Sequence, residues 1–530
     1  MVGTDRDGHP RRRHYRRRDL AGCPDGHRAH GHRAHREDCR GGPVTFFDHV
    51  HAIGPALVCY AGAGAILSAD LFHGRRAAIW AIAVLAAVGA LGWTMAQAIL
   101  GAEAGALSGA VRVDAFSIYL AFLIGAVLLA VVLAAREWAA TIEQAAEFYA
   151  LLLVSAGSMI LLAQADDLIT IFVALETTSI SQFILAGVTR NDRSSEAGLK
   201  YLLTGAVAAA ILLYGFAFLF GMAGTTSLEG IAAWVATGPE AQRLPLMLAF
   251  VLVAVGLGFK MAMAPSHAWA PDVYEGAPTL VATFLSVASK AAGFAVALRL
   301  FYTGLGGGDT IISQDWGMMF GALAAISMIV GNTGALVQTN AKRLLGYSSI
   351  AQAGNIAVGL AAVAVGSTNG PSGVLFFLGT YAATNIGAFV VVSFVTERLG
   401  SEQIEDFAGL IKRSPVAAVV LSLCLVSLTG IPPTAGFIAK VYIFNSAVQA
   451  GERWLVALVA LAVLNTAISA FYYLRWVRTM LLDEPKDTTP IRAPGGTQFV
   501  LAAATVGVLF FGLDPSPLLH AAQDAAAALL

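Results

Sequence analysis

The sequence predicts an all-α polytopic membrane protein of about 14 transmembrane helices, with two inverted five-helix repeats that each contain a broken helix. Three observations predict it. The 530-residue chain is 57% hydrophobic and only 13% charged, where a soluble domain usually carries about 25% charged residues. Apolar stretches recur along its length, most of them reaching the ~20 residues that cross a bilayer. Two of these stretches are interrupted by proline and carry a lysine close to the interruption. Paired interrupted segments are the best sequence pointer to the working sites of a transporter.

The fourteen stretches fall at 50–71, 77–99, 115–135, 146–164, 167–188, 197–222, 244–264, 279–302, 316–339, 344–365, 372–396, 415–435, 454–480 and 496–513. Residues 44–145 hold the first three, 146–302 the first half-repeat (helices 4–8), 303–482 the second (helices 9–13), and 483–530 the last helix and a tail. Abundant Gly and Ala suit close helix packing in lipid. Alternate loops, starting after the first helix, carry fourteen cations: Arg75, Arg76, Arg136, Arg190, Arg193, Lys342, Arg343, Arg398, Lys412, Arg413, Arg475, Arg478, Lys486 and Arg492. The opposite set has three, Arg112, Arg243 and Arg453. The positive-inside rule then puts both termini outside the cytoplasm.

The first 43 residues run against that assignment, with 11 Arg, 6 His, no Lys and the near-repeat HRAHGHRAHRE. They lack the apolar region of a signal peptide. They read as a metal- or lipid-binding arm, as an unstructured basic tail of disordered composition, or as a misassigned start with translation beginning near Val44. The last reading fits best; a peptide spanning residues 11–18 in the purified protein would overturn it. The four cysteines (Cys23, Cys39, Cys59, Cys424) form no CxxC and no metal-ligand spacing, which excludes a disulfide framework and argues against a bound cluster. No metal site is expected.

Ionisable residues inside the apolar stretches carry the functional signal: Glu176, Lys200, Lys260, Lys290 and Lys440. A charge near the bilayer centre costs at least ~2.5–3.5 kcal/mol on insertion scales and usually marks an ion or proton pathway. Burial disfavours the charged form of lysine, which makes such a group switchable by a nearby carboxylate. The seventh stretch ends GLGFKMAMAPSHAWAPDVYEGAP, with prolines at 265, 271 and 278, which cannot sit in an uninterrupted helix. Lys260 precedes the break at Pro265 by five residues and His267 follows it by two. The twelfth stretch repeats the pattern as LTGIPPTAGFIAKVYIF, with Pro432 and Pro433 breaking the helix and Lys440 seven residues on. Lys290 lies twelve residues past Pro278, ~18 Å of helical rise, and is a natural relay between the two breaks. Glu176, ten residues after Asp166, is also central, and Glu176 with Lys260 is the expected switch pair.

Several of these residues have a plainer reading. Lys260 could mark a structural kink and Lys290 a packing pair. Lys200 lies four residues after Glu196, a spacing that permits a helical ion pair, so its role stays open between structural and functional. His267 could line a wall, and Asp272 and Glu275 could be loop charges. GLGGGD (304–309) has no strand before it, and a nucleotide-binding reading fails.

At these residues the chain resembles subunit N of the proton-pumping NADH:quinone oxidoreductase, respiratory complex I, over most of residues 50–515. The stretches are EAGLKYLLTGA (196–206), GLGFKMAMAPSHAWAPDVYEGAP, TFLSVASKAAGF (283–294), QTNAKRLLGYSSIAQAG (338–354) and LTGIPPTAGFIAKVYIF. DVYEGAP, the ASK lysine and the lysine of the twelfth helix distinguish it from the sister subunits L and M. The resemblance implies a proton relay of Glu176, Lys260, Lys290 and Lys440, driven by quinone reduction in other subunits. It implies protons entering from the cytoplasm near the seventh-helix break, passing Lys290 and leaving by Lys440. It implies no cofactor in this chain; NADH, FMN, Fe-S clusters and quinone belong to the rest of the complex. The implied partners are the other membrane-arm subunits and the lipid bilayer, with no nucleic acid, in a bacterial cytoplasmic membrane. Gln352 and Asn355 depart from the family's histidine and tyrosine, which puts the exit route in question. The alternative is a subunit of a cation/proton antiporter or membrane-bound hydrogenase; a third reading is a scaffold whose buried charges only hold helices together.

Overall fold

The computed structural model describes residues 46–529, apart from 74–75, 101–103, 239, 307–309 and 311; the basic tail of residues 1–43 lies outside the described residues. The apolar stretches form α1 (Phe46–His73), α2 (Arg76–Leu100), α3 (Ala115–Ala134), α4 (Ala145–Gln164), α5 (Leu168–Ala186) and α6 (Asp192–Ala223). Next come α7 in two arms (Arg243–Met261 and Trp269–Gly276), α8 (Thr279–Gly304), α9 (Ser313–Leu336), α10 (Ala341–Val363) and α11 (Gly370–Leu399). The chain continues with α12 in two arms (Pro415–Thr429 and Ala435–Gln449), α13 (Arg453–Leu482) and α14 (Gly495–Leu513). In both five-helix runs, α4–α8 and α9–α13, the fourth helix is the broken one. A terminal helix α15 (Ser516–Ala527) and a hairpin of β1 (Ala104–Ala106) with β2 (Val111–Val113) are additions that hydropathy did not mark.

Twelve of the fourteen are long and apolar enough to cross a membrane by themselves; α10 and α12 are not. In α10 every residue except Arg343 and Tyr347 is buried by protein, so its polar side chains meet hydrogen-bonding neighbours rather than hydrocarbon. The twelfth stretch, expected over 415–435, stops as helix at Thr429, and the second arm carries it on to Gln449. α8 is enclosed on all sides, whereas only about a third of α2, α6 and α14 is buried. Exposed Leu203, Val207, Phe471 and Val506 mark outward faces. Close packing of α9 on α10 needs glycine: a Cβ on Gly331 would lie 2.5 Å from the Ala351 nitrogen.

Both breaks satisfy the backbone groups they free. In α7, Ala262 takes a left-handed conformation, the Met263 amide donates to Gly258 O (2.8 Å), and the Ala264 amide donates to Ser327 Oγ of α9 (2.9 Å). In α12, Gly430 takes φ +86°, and the Gly436 amide donates to Ser427 Oγ (3.1 Å). Loops of the lysine- and arginine-rich set gather at one end of the bundle, where Arg193 and Lys342 both bind Glu402, and Arg475 donates to Gln338 O. The hairpin and the α4–α5 and α6–α7 connections meet at the other end, joined by the bridges Val111–Ala165 and Asp167–Ser227.

Candidate functional site

The breaks place three lysines in the interior. Lys260 stands one residue before the end of the first arm of α7 and is 2% exposed. Its ammonium donates to Gln182 Oε1 (2.9 Å) and Ser179 Oγ (3.3 Å), both on α5. Lys290 follows a one-turn π segment, Leu285–Ser289, in α8, donates to Ser349 O of α10 (2.5 Å), and has the Tyr381 ring 5.9 Å away. The Tyr381 hydroxyl in turn donates to Ser349 Oγ (3.2 Å). Lys440 reaches back across its own break to Leu428 O and Thr429 O, each at 3.0 Å. Those are last-turn carbonyls that a continuous helix would have occupied. The partners of all three ammonium groups are neutral oxygens.

Glu176 lies half-buried on α5, with one carboxylate oxygen enclosed and without a hydrogen-bond partner. It makes no direct ion pair with Lys260, and lies one helical turn before Ser179, which that lysine contacts. Lys200 is placed differently from the other lysines: its side chain is 46% exposed and paired with Glu196 (2.7 Å) and Asp272 (3.1 Å). The half-buried His267 has Nδ1 3.2 Å from the carbonyl oxygen of Pro265, at an exposed bend. The Pro432–Pro433 pair forms the other bend, next to the Lys440 partners.

Neutral connectors join these points, Gln182 among them, which the sequence did not single out. Gln182, fully buried, receives the Tyr201 hydroxyl of α6 (3.2 Å) and Ser289 Oγ of α8 (3.0 Å) on the oxygen that holds Lys260. Gln352 donates to Leu428 O (3.0 Å), the same carbonyl that Lys440 holds, and accepts from Asn355 (3.1 Å). The two departures therefore stand between α10 and the α12 break. Ser348 hydrogen-bonds the Tyr473 hydroxyl beside them. Asn385 of α11 donates to Ser286 Oγ of α8 (2.7 Å).

At the arginine- and lysine-rich end, a cavity of about 840 Å³ is lined by Arg193, Glu275, Asn340, Lys342 and Glu402 among others. Arg343 bridges Asp272 (2.7 Å) and Glu275 (2.9 Å), and Lys342 holds Glu402 (3.0 Å). Partial burial opposes ionisation of Glu402, but Lys342, Asn340 and Arg193 outweigh it and hold this carboxyl below the usual range. Asp272 follows the same balance: burial is overcome by Lys200 and Arg343, and its pKa is lowered. Asp272 and Glu275 are thus network members rather than plain loop charges.

A second charged group, at the opposite end, also escaped the sequence reading. Arg299, nine residues after Lys290 and 1% exposed, binds Asp114 through Nη1 (2.6 Å) and Nη2 (3.1 Å) and donates to Ala163 O (3.0 Å). Arg112 pairs with Asp166 at 2.7 Å beside it. Arg299 was visible as an arginine inside an apolar stretch, but nothing in the sequence tied it to Asp114.

A sequence profile described as "NADH:quinone oxidoreductase/Mrp antiporter, TM" matches residues 165–466. The chain is 40% identical to a protein of Anaeromyxobacter sp. (strain Fw109-5) named NADH-quinone oxidoreductase subunit N, over 83% of this chain and 88% of that protein. It is also 40% identical to NAD(P)H-quinone oxidoreductase subunit 2 of Synechocystis sp., over 87% of this chain and 89% of that protein. A chain in the structure of respiratory complex I from Thermus thermophilus superposes with TM-score 0.73 at 31% identity, covering 88% of this chain and 98% of that one. A chain of the Mrp complex from Dietzia sp. gives TM-score 0.76 at 21% identity, over 92% and 98% of the two chains, a likeness of fold alone.

Proposed function

From the premise that this chain belongs to the subunit N family of NADH-quinone oxidoreductase, and is thus a multi-pass membrane-arm subunit of a proton-pumping translocase, we propose that Glu176, Lys260, Lys290 and Lys440 form its proton relay. The observation that carries the proposal is that three deeply buried lysines rest on neutral oxygens only. An ammonium held this way lacks the fixed counter-charge that would make its proton permanent, so a small change in nearby charge moves it.

In this reading the charged cavity at the arginine- and lysine-rich end collects protons from the cytoplasm. The α7 break brings them to Lys260, where moving or neutralising Glu176 changes which state of the lysine is favoured. Lys290 is the next proton carrier, its ammonium held by Ser349 O of α10 until the proton moves on to Lys440, and Gln352 and the Leu428 carbonyl border that last step. The break carbonyls of α12 stabilise Lys440 while it holds the proton. The opposite end, which carries the hairpin and the start of α1, faces away from the cytoplasm. The residue ranges 44–145, 146–302, 303–482 and 483–530 serve as the N-terminal helices, the two antiporter-like halves and the closing helix. The electron carriers belong to other subunits, which this chain meets through its outward apolar faces.

Lys260→Met tests the proposal in membrane vesicles. The variant complex should assemble normally on a blue-native gel and lose most quinone reduction and proton pumping. Normal pumping by a fully assembled variant would remove Lys260 from the relay, and loss of assembly would mark it as a structural lysine.

A further inference from the structure

Resting on the relay reading, we propose that Gln182 is a positioning residue that transmits the charge state of Lys260 to Ser289, and so to the turn of α8 that carries Lys290. Donors outnumber acceptor sites at this amide. An amide oxygen has two lone pairs, yet Gln182 Oε1 lies within hydrogen-bond distance of three donors: Lys260 Nζ (2.9 Å), Ser289 Oγ (3.0 Å) and Tyr201 OH (3.2 Å). The site is fully buried, so bulk water does not relieve the competition.

The orientation of the amide is fixed by chemistry. A protonated lysine only donates, so the oxygen must face Lys260. The amide nitrogen then points to Ser155 Oγ (3.2 Å) on α4. Turning the amide over would set its N–H groups against the ammonium, donor facing donor.

Lys260 as a cation claims one lone pair of Gln182 with a charge-assisted hydrogen bond, the stronger kind. Ser289 and Tyr201 then share the other. When the lysine loses its proton, it keeps two N–H groups and gains a lone pair, which can accept a hydroxyl proton. The hydroxyl within reach of that lone pair is Ser179 Oγ, 3.3 Å away. The weakened claim of the lysine on Gln182 frees a lone pair there, so that Ser289 and Tyr201 take one each. No atom changes hands in this exchange; only donor and acceptor roles do. Ser289 is the last residue of the π segment and is followed directly by Lys290, so its reorientation acts on the turn that sets the direction of that ammonium. Facing the cluster are Lys260 of α7, Glu176 of α5 and Tyr201 of α6, with Lys290 next in line on α8.

The test uses the whole complex in proteoliposomes, reading NADH-driven quinone reduction, proton pumping and the solvent deuterium isotope effect. Gln182→Leu keeps the volume and removes the acceptor; Ser289→Ala removes one donor; Lys260→Met is the reference. Coupled turnover in Gln182→Leu should fall about tenfold or more, the scale of a lost hydrogen bond to a charge. Its isotope effect should rise, because a proton step becomes limiting. Ser289→Ala should slow turnover, and the double variant should be no slower than Gln182→Leu alone. A merely structural glutamine would reduce the amount of assembled complex without moving the isotope effect. Wild-type turnover in Gln182→Leu beside an inactive Lys260→Met would overturn this inference and leave the relay standing. Wild-type turnover in both would overturn the relay itself. Independent, multiplying effects of Gln182→Leu and Ser289→Ala would overturn the link to Ser289.

Discussion

Asp114→Ala isolates the buried ion pair at the end of the bundle opposite the charged cavity. Asp114, 6% exposed, meets Arg299, 1% exposed, through two hydrogen bonds of 2.6 and 3.1 Å. It also caps α3, accepting from the Ser117 amide at 2.8 Å. Truncation leaves a guanidinium enclosed by protein that has lost its two carboxylate hydrogen bonds and keeps Ala163 O and the face of the Phe116 ring, 4.8 Å away. Breaking one side of a buried pair costs about 3–5 kcal/mol and losing a cap about 1 kcal/mol, so the variant should lose about 4–6 kcal/mol. Asp114→Asn keeps the capping oxygen and removes only the charge, and should fall between the variant and the wild type. Asp114→Ala with Arg299→Met removes both charges and should recover most of the loss, since an apolar replacement of a buried pair is often near neutral. Detergent-solubilised chain, titrated with SDS and followed by tryptophan fluorescence, measures all four proteins. A single variant costing less than about 1 kcal/mol, or a double variant as unstable as Asp114→Ala, would refute the reasoning.

Gly430→Ala should strain the αL cap of α12 by about 1–2 kcal/mol and push Lys440, because the new Cβ would lie 2.9 Å from its Cδ. Pumping should drop in assembled complex, while Gly451→Ala, with φ +78° and open space around it, should share the strain and keep pumping. Glu402 is held below its usual range, against its own burial, by Lys342, Asn340 and Arg193. Its contribution to stability is therefore complete above the unfolded carboxyl value of about 4.3 and is lost as pH falls through the lower folded value. Thermal unfolding of Glu402→Gln should be less pH-dependent than wild type between pH 7 and 3, and parallel curves would count against the network. Gln352→His should keep a donor for Leu428 O and add an inflection to the pumping–pH profile near the imidazole range of about 6.5; superimposable profiles would show that this position does not sense protons. Lys200→Ala, at an exposed pair, should leave both assembly and pumping unchanged when assayed beside Lys260→Met.

Hydropathy alone placed the membrane helices to within a few residues, because lipid-facing surface must be apolar over a fixed length. It overran at the end of α12's first arm, where Gly430 stops the helix while the residues around it stay apolar, and it did not mark α15. Proline marked both breaks, and charge inside apolar sequence marked Glu176, Lys260, Lys290 and Lys440. Lys200 shared that signature, yet lies on the outside with Glu196 and Asp272. The i,i+4 carboxylate was the local clue, and the second partner, 72 residues away, was not readable. Gln182, Ser289 and Ser349 were invisible for a different reason. Neutral polar residues are ordinary in membrane helices, and their meaning comes from which helices meet. Asp114 and Arg299 are separated by 185 residues, and only packing brings them together.

The enclosure of α8 has a consequence for the setting in which the chain works. A helix that touches lipid feels the thickness of its bilayer, and tilts or shifts when hydrocarbon length changes. α8 is surrounded by protein through its apolar centre, so the depth of Lys290 is fixed by its neighbours and not by the acyl chains outside. Thinner or thicker membranes press on α2, α6 and α14 instead. The centre of the chain is insulated from lipid composition, and a cell that remodels its lipids with temperature would leave the height of that ammonium unchanged.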